Sequence, residues 1–338
     1  MLRSKMNRIF IYILVILITL FFAGCSEDSI EPGNNSESFP EEINFGILRV
    51  PNDETIAITE GIFDRYFTEK GIECNYIAFD SGAEANKALA SGSIDFATMG
   101  NTNAIVALSR EIEVEMIWIH EVLGEIEALA VKEGSGINNL EDLAGRRIAT
   151  PFASTSHYIL LNALKDAGIE DEVQLLDMQT AEIVAAWERG DIEAAYTWQP
   201  SLAKLLKTGE ILISSEDMIE KGFITANVEV VREEFADKYP DLVVSFISAL
   251  AEAADIYRED PDKAASIVAD ELEIDEEEAL SQMKGSSWYT RQELLEEDFL
   301  GTKDKAGAFA SIMKDTSDFL QNQGSIDYSP TQEEFNEF

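Results

Sequence analysis

Three small hydroxyl side chains stand in a row at Ser154, Thr155 and Ser156, inside the segment GRRIATPFASTSHYILLNALK. The segment reads as a strand, a turn and then a helix. The hydroxyls therefore fall where a helix offers free backbone N–H groups and the positive end of its dipole. Such a mouth can hold an anion through several donors without a full counter-charge. No Asp or Glu occurs between Leu143 and Lys165, although the chain has 65 acids in 338 residues. Composition alone would put about four there. Acids in a first turn ordinarily stabilise a helix, so clearing them suits a mouth reserved for something negative. The same hydroxyls are also good N-caps, and capping alone would account for them.

Other polar residues fall at comparable positions. MGNTNAIV carries Asn101, Thr102 and Asn103 at the end of a strand, where amides and a hydroxyl can bond oxygens or an amine, or cap a helix. Trp198 ends the strand AAYTW just before QP; it can wall a pocket or offer a face to a cation, or sit in the core. His120 and His157 are far apart with no Cys or His at ligand spacing, so no metal is expected. His157 is read as packed in its first helical turn. No P-loop, nucleophile elbow or dinucleotide fingerprint is present, so no cofactor is expected. A pair of carboxylates chosen from so many acids carries no information about catalysis.

The elements that would position these residues alternate strand and helix. INFGILRV, IECNYIAF and IDFATMG read as strands separated by helical patterns, and RRIATPF, EVQLLDM and IEAAYTW repeat the rhythm. Two units match at an offset of 98: Gly92 with Gly190, Ile94 with Ile192, Asp95 with Glu193 and Ala97 with Ala195. Each is a helix, a glycine stop and a short strand opening into a polar loop. Two doubly wound α/β units are expected, with ligand held at the strand ends in a cleft between them. After NVEVVREEFADKYP the chain becomes a run of helices.

Charge and targeting limit the partners. With 25 basic against 65 acidic residues, net charge is −40, so nucleic acid and anionic membrane surfaces are excluded as partners. The acids are spread along the whole chain, as on a surface adapted to high salt. Residues 1–24 pair Arg3, Lys5 and Arg8 with an apolar run too short to span a bilayer and ending in FFAGC. This looks like a lipoprotein signal peptide, with Cys25 the lipid-modified residue and residues 25–42 an acidic tether. An extracytoplasmic protein, touching the membrane only through its lipid, is expected. Cys74 is left without a partner and reads as a buried apolar residue.

TPFASTSHYILLNALKDAG, taken with AAWERGDIEAAYTWQP, resembles the substrate-binding proteins of ABC transporters for taurine and related alkanesulfonates. The resemblance runs from about Ile43 to the C-terminus. It implies a two-lobed type II periplasmic-binding-protein fold, with residues 43–129 and 227–338 as one lobe and 130–226 as the other. EALAVK and TANVEVV would be the two crossovers of the hinge. It further implies a monomer that delivers a small sulfonate, taurine first, to a membrane permease with its ATPase. Within that family Trp198 would cover the hydrocarbon of the ligand, with Tyr158 and Trp118 as further walls. Glu127 would meet an ammonium, ahead of Glu125 and Glu121, which read as surface acids. Where the family's second crossover tends to carry Asp, this chain has Asn227, which brings an acceptor and no charge. A receptor for a betaine-type solute, walled by Trp198, Trp118, Tyr158 and Trp288, is the alternative. A ligand-presenting sensor subunit is another, and a related fold also serves precursor-synthesising enzymes.

Overall fold

The computed structural model of the protein describes residues 39–302 and 305–338. The expected signal peptide, the lipidation site Cys25 and residues 25–38 of the tether lie outside the described residues.

Apolar runs bounded by polar turns form two sheets. The first half of the alternating pattern yields β1 (Glu42–Leu48), β2 (Glu73–Phe79) and β3 (Phe96–Gly100), followed by β4 (Val114–Leu123). The second yields β5 (Glu127–Lys132), β6 (Arg147–Thr150), β7 (Gln174–Asp177), β8 (Ala194–Trp198) and β9 (Gly209–Ser214). The chain then returns through β10 (Ala226–Arg232) and a short β11 (Ser286–Ser287). The six-stranded sheet has the order β11-β4-β10-β3-β1-β2, and the five-stranded sheet β7-β6-β8-β5-β9. In each, three strands run parallel and the neighbouring ones antiparallel. This is the two-lobed α/β architecture expected from the repeated rhythm. The 98-residue offset carries through: β3 and β8 stand at matching positions, each preceded by a left-handed glycine, Gly92 (φ 69°) and Gly190 (φ 76°).

The expected hinge segments are corrected in one respect. EALAVK is β5, paired on both sides inside the five-stranded sheet, and ANVEVVR is β10, paired on both sides inside the six-stranded one. Both runs are too apolar to lie in a connection, because a sheet interior is the place that buries both of their faces. The chain passes between the sheets just before each strand, at residues 124–126 and 215–225. Glu127–Leu129 therefore stand in the second lobe, beyond the boundary expected at 129/130.

Four helices follow parallel strands at this side: α1 (Asp53–Thr59), α2 (Gly82–Ala90), α3 (Asn101–Ser109) and α4 (Thr155–Asp166), the last three reaching the cleft. The first three follow the C-terminal ends of β1, β2 and β3, and α4 follows β6. Parallel strands thus aim four helix N-termini at one side of the sheets. The six-stranded lobe is built on stacked rings, with Phe96 on Phe246 at 4.3 Å, Phe246 on Phe63 at 4.9 Å and Phe45 on Phe63 at 5.3 Å. The five-stranded lobe packs small side chains, Ala128, Ala130, Ala149 and Ala195, against Trp187 of the helix Thr180–Arg189. Trp187 is core, and its indole N–H donates to Thr208 at 3.0 Å. Cys74 is half-buried, and burial pushes its thiol up to about 12.

Two bulges bend β4 where it pairs with β10. Asn227 pairs with Glu121 and Val228 with Ile119, so His120 is an extra residue in the ladder. A bulge re-aims the side chains beside it. From Trp118 to Leu123 every residue of β4 is buried, His120 and Glu121 among them, because this end of the strand is covered on both faces.

Candidate functional site

A narrow cleft with about 30 Å³ of enclosed space lies between the two sheets. Its polar lining comes from three helix N-termini and, at the strand ends, from Glu127, Gln199 and Asn227. Ser81 and Gly82 open α2, Gly100 and Asn103 open α3, and Ser154 and Thr155 open α4. Leu48, Val50, Leu123, Ile126 and Trp198 make the apolar wall. Among the described residues no Lys or Arg lines it.

At α4, Ser154 is the N-cap: its hydroxyl accepts from the His157 amide at 3.2 Å and donates to the Pro151 carbonyl at 2.6 Å. Among the described residues no acceptor meets the backbone N–H groups of Thr155 and Ser156, as expected of the first turn of a helix. Ala153, just before the cap, holds a left-handed φ of 58°, a strained conformation for a residue with a side chain. Its carbonyl turns toward the other lobe, where it accepts from the Asn103 amide at 2.8 Å and from Thr102 at 3.5 Å. The mouths of α3 and α4 therefore touch across the cleft. Gly100 completes the contact: a Cβ there would lie 2.7 Å from the Thr155 methyl.

At α2, the Ser81 hydroxyl is buried and has no hydrogen-bond partner among the described residues, although it lines the cleft. A buried hydroxyl without a partner is costly unless something else supplies one. Sequence reasoning missed Ser81 and Gly82. The signal was FDSG, a strand end followed by a hydroxyl and a glycine at the start of a helical pattern, as at the other two mouths.

Of the residues singled out in the sequence, the cleft brings together Asn103, Glu127, Ser154, Thr155, Trp198 and Asn227. Trp198 is half-buried, and its indole N–H has no partner among the described residues. Asn101 and Thr102 are buried beside the lining. Asn101 accepts from the Ala226 amide at 3.3 Å, and so anchors the start of β10 to α3. Tyr158 is not at the cleft: it lies edge-on to Phe319 at 5.4 Å, because the fourth residue of α4 faces the C-terminal helix Ala308–Asn322. Trp118 is core, donating to Asp53 at 2.8 Å, and Trp288 packs on Tyr257 at 4.3 Å. The four rings do not form an aromatic box, and only Trp198 of them faces the cleft. His157 is stacked on Phe152 and accepts from the Ala153 amide, and burial lowers it to about 4.

Glu127 lines the cleft. Its carboxylate is fully buried and surrounded by hydroxyls. One oxygen accepts from Thr155 and, at 2.8 Å, from Ser156; the other accepts from Ser215 at 2.7 Å and Thr225 at 3.5 Å. Burial pushes the carboxyl up, and these hydroxyls pull it partly back. The window Leu143–Lys165 is free of acids, yet a distant strand delivers one to its mouth. The hydroxyls of Thr155 and Ser156 are spent on Glu127, so the donors this mouth has to spare are its backbone N–H groups.

A second polar cluster lies buried behind the cleft in the six-stranded lobe. His120 stands between Asp53 at 2.5 Å and Glu229 at 3.1 Å, and the Thr98 hydroxyl lies 2.6 Å from Glu54 and 2.8 Å from Glu229. One hydroxyl proton cannot serve two carboxylates, so one of the pair carries a proton of its own. Burial pushes both carboxyls up, and the Glu229 charge pushes Glu54 further. Burial opposes a charge on His120, but Asp53 and Glu229 outweigh it and hold the ring protonated.

The family model described as NMT1/THI5 like matches residues 60–264. The chain belongs to the NMT1/THI5-like family. It is 36% identical over 265 residues to the taurine-binding periplasmic protein of Escherichia coli (strain K12), covering 76% of this chain and 80% of that one. It is 26% identical over 303 residues to a putative aliphatic sulfonates-binding protein of Bacillus subtilis (strain 168), covering 88% of each. In fold it is similar to the alkanesulfonate-binding protein SsuA from Xanthomonas axonopodis pv. citri bound to MOPS, with TM-score 0.71 and 17% identity, covering 87% of this chain and 96% of that one. These relatives are binding proteins by name, not enzymes.

Proposed function

We propose that this protein is the extracytoplasmic substrate-binding lipoprotein of an ABC importer. It takes taurine or a related small sulfonate in the cleft between its lobes and hands it to the permease. The observation that carries this reading is the convergence of three helix N-termini on one cleft with no Lys or Arg in its lining among the described residues. A sulfonate is a monoanion with three acceptor oxygens, which suits several neutral donors better than one point charge. The unpartnered Ser81 hydroxyl and the open amides of Thr155 and Ser156 are such donors. Leu48, Val50 and Trp198 suit the short hydrocarbon behind the sulfonate. The taurine-binding protein of E. coli and the sulfonates-binding protein of B. subtilis support the same ligand class. Attachment through Cys25 rests on the FFAGC sequence.

Calorimetric titration of the full-length protein with ethanesulfonate, taurine and glycine betaine tests the reading. Micromolar or tighter binding of a sulfonate is expected, with Trp198→Ala weakening it at least about tenfold as one wall of the cleft is lost. Betaine binding without sulfonate binding would overturn the reading.

A further inference from the structure

Gly100, Asn227 and Glu121 stand in one row across β3, β10 and β4, at the strand ends that face the cleft. The third member of that row has no role in holding a sulfonate. Glu121 is fully buried; one carboxylate oxygen accepts from the Asn227 Nδ2 at 2.6 Å, and the other has no partner among the described residues. Asn227 lines the cleft, and its Oδ1 makes no hydrogen bond among the described residues. A primary amide has two donors on one side and an acceptor on the other. With Glu121 ionised, the NH₂ must face the carboxylate, which turns the carbonyl oxygen to the cleft with a buried negative charge behind it. With Glu121 protonated, its hydroxyl can donate to the carbonyl, the amide turns over, and NH₂ donors face the cleft instead.

The geometry points to Glu121 as the residue that tunes the cleft for ligands carrying an ammonium as well as a sulfonate, acting through the Asn227 amide. The inference rests on the sulfonate reading and narrows it to aminoalkanesulfonates. Glu121 is a positioning residue, because it meets the ligand only through Asn227. The charged groups around it are His120 on its own strand, Asp53 and Glu54 of α1, and Glu229 of β10; β11 brings only Ser286 and Ser287. Burial pushes Glu121 up to about 8, with His120 and the Asn227 amide pulling it back and Asp53 pushing it further. At neutral pH the free protein therefore holds this carboxyl mostly protonated. An ammonium favours the ionised form, so binding one should release the proton.

The test is calorimetry on the full-length protein from pH 6 to 8, in buffers of different ionisation enthalpy, with taurine compared against ethanesulfonate. Groups that respond to the sulfonate, Glu127 among them, act on both ligands and cancel in the comparison. Relative to ethanesulfonate, taurine should release close to one proton near pH 7, and its affinity should climb up to about fifty-fold across the range. Glu121→Gln should flatten that difference while leaving ethanesulfonate binding in place. Identical pH profiles for the two ligands in the wild type overturn the inference without needing a variant. So does a proton release that survives in Glu121→Gln, or binding of ethanesulfonate with none of taurine. Failure of both ligands to bind the wild type overturns the sulfonate reading instead.

Discussion

Gly100→Ala isolates the approach of the two lobes from the folding of either one. Gly100 has φ −64° and ψ 146°, a conformation any residue adopts, so alanine should not strain the strand end. Its Cβ would lie 2.7 Å from the Thr155 methyl and 3.5 Å from the Asn103 Oδ1. Thr155 cannot easily turn aside, because its hydroxyl is tied to Glu127. The mouth of α4 must then retreat by roughly 1 Å to reach ordinary contact, an overpacking cost of about 1–3 kcal/mol. The same retreat stretches the Asn103–Ala153 bond of 2.8 Å beyond hydrogen-bonding range, which removes about 1 kcal/mol more. Ligand affinity should fall about thirtyfold or more, since about 1.4 kcal/mol is a factor of ten. The ligand-free melting temperature should move by no more than about 3 °C, because neither lobe loses its own core. Gly82→Ala is the contrast: its Cβ would lie 2.7 Å from Asn103 and 2.8 Å from the Met99 Cβ within one lobe, so it should lower stability as well as affinity. Calorimetry with ethanesulfonate and thermal melts of both variants decide the matter. Unchanged affinity in Gly100→Ala would refute the contact between the two helix mouths as part of the bound state.

Ser81→Ala should lower sulfonate affinity about fivefold while leaving the melting temperature equal or higher, because it deletes a buried hydroxyl that has no partner among the described residues; a lower melting temperature with unchanged affinity would contradict this. Glu127→Ala should destabilise the fold by about 3 kcal/mol in urea unfolding, since it strands four hydroxyls at one buried point. A loss under about 0.5 kcal/mol would show those bonds to be incidental. Glu54, Glu121 and Glu229 are all pushed up by burial, so the native state keeps protons that the unfolded chain loses. Their contribution is fully present below the unfolded carboxylate range and is lost as pH rises toward their folded values, about 8 for Glu121. Stability measured in urea should therefore be lower at pH 8 than at pH 5, and a flat or rising profile would contradict their burial.

The lobes are legible in the sequence because alternation of apolar runs with Gly-stopped helices is a local signal. The paired units around Gly92 and Gly190 are enough to place β3 and β8. The mouth at Ser154–Ser156 is legible for the same reason. What the sequence hides is each residue's remote partner. Glu127 is singled out in the sequence only through the family resemblance, and only the pairing of β5 with β8 and β9 sets it against Thr155, Ser156 and Ser215. Tyr158 reads as cleft wall because helix spacing cannot say which neighbour a face will meet. Glu121 reads as a surface acid, yet it is buried with His120 and Glu229 because β4 and β10 are covered on both faces, which a two-residue alternation does not foretell. The acids in the core stay unseen because in so acidic a chain a carboxylate gives no hint of burial.

The central claim is that three helix mouths share one bound sulfonate. Backbone ¹⁵N–¹H resonances of the full-length protein, followed while ethanesulfonate is added, test it most directly. The amides of Gly82, Thr155 and Ser156 should move downfield together and saturate with one affinity, as free N–H groups acquire an acceptor. Saturable binding that leaves those three amides in place would contradict the account.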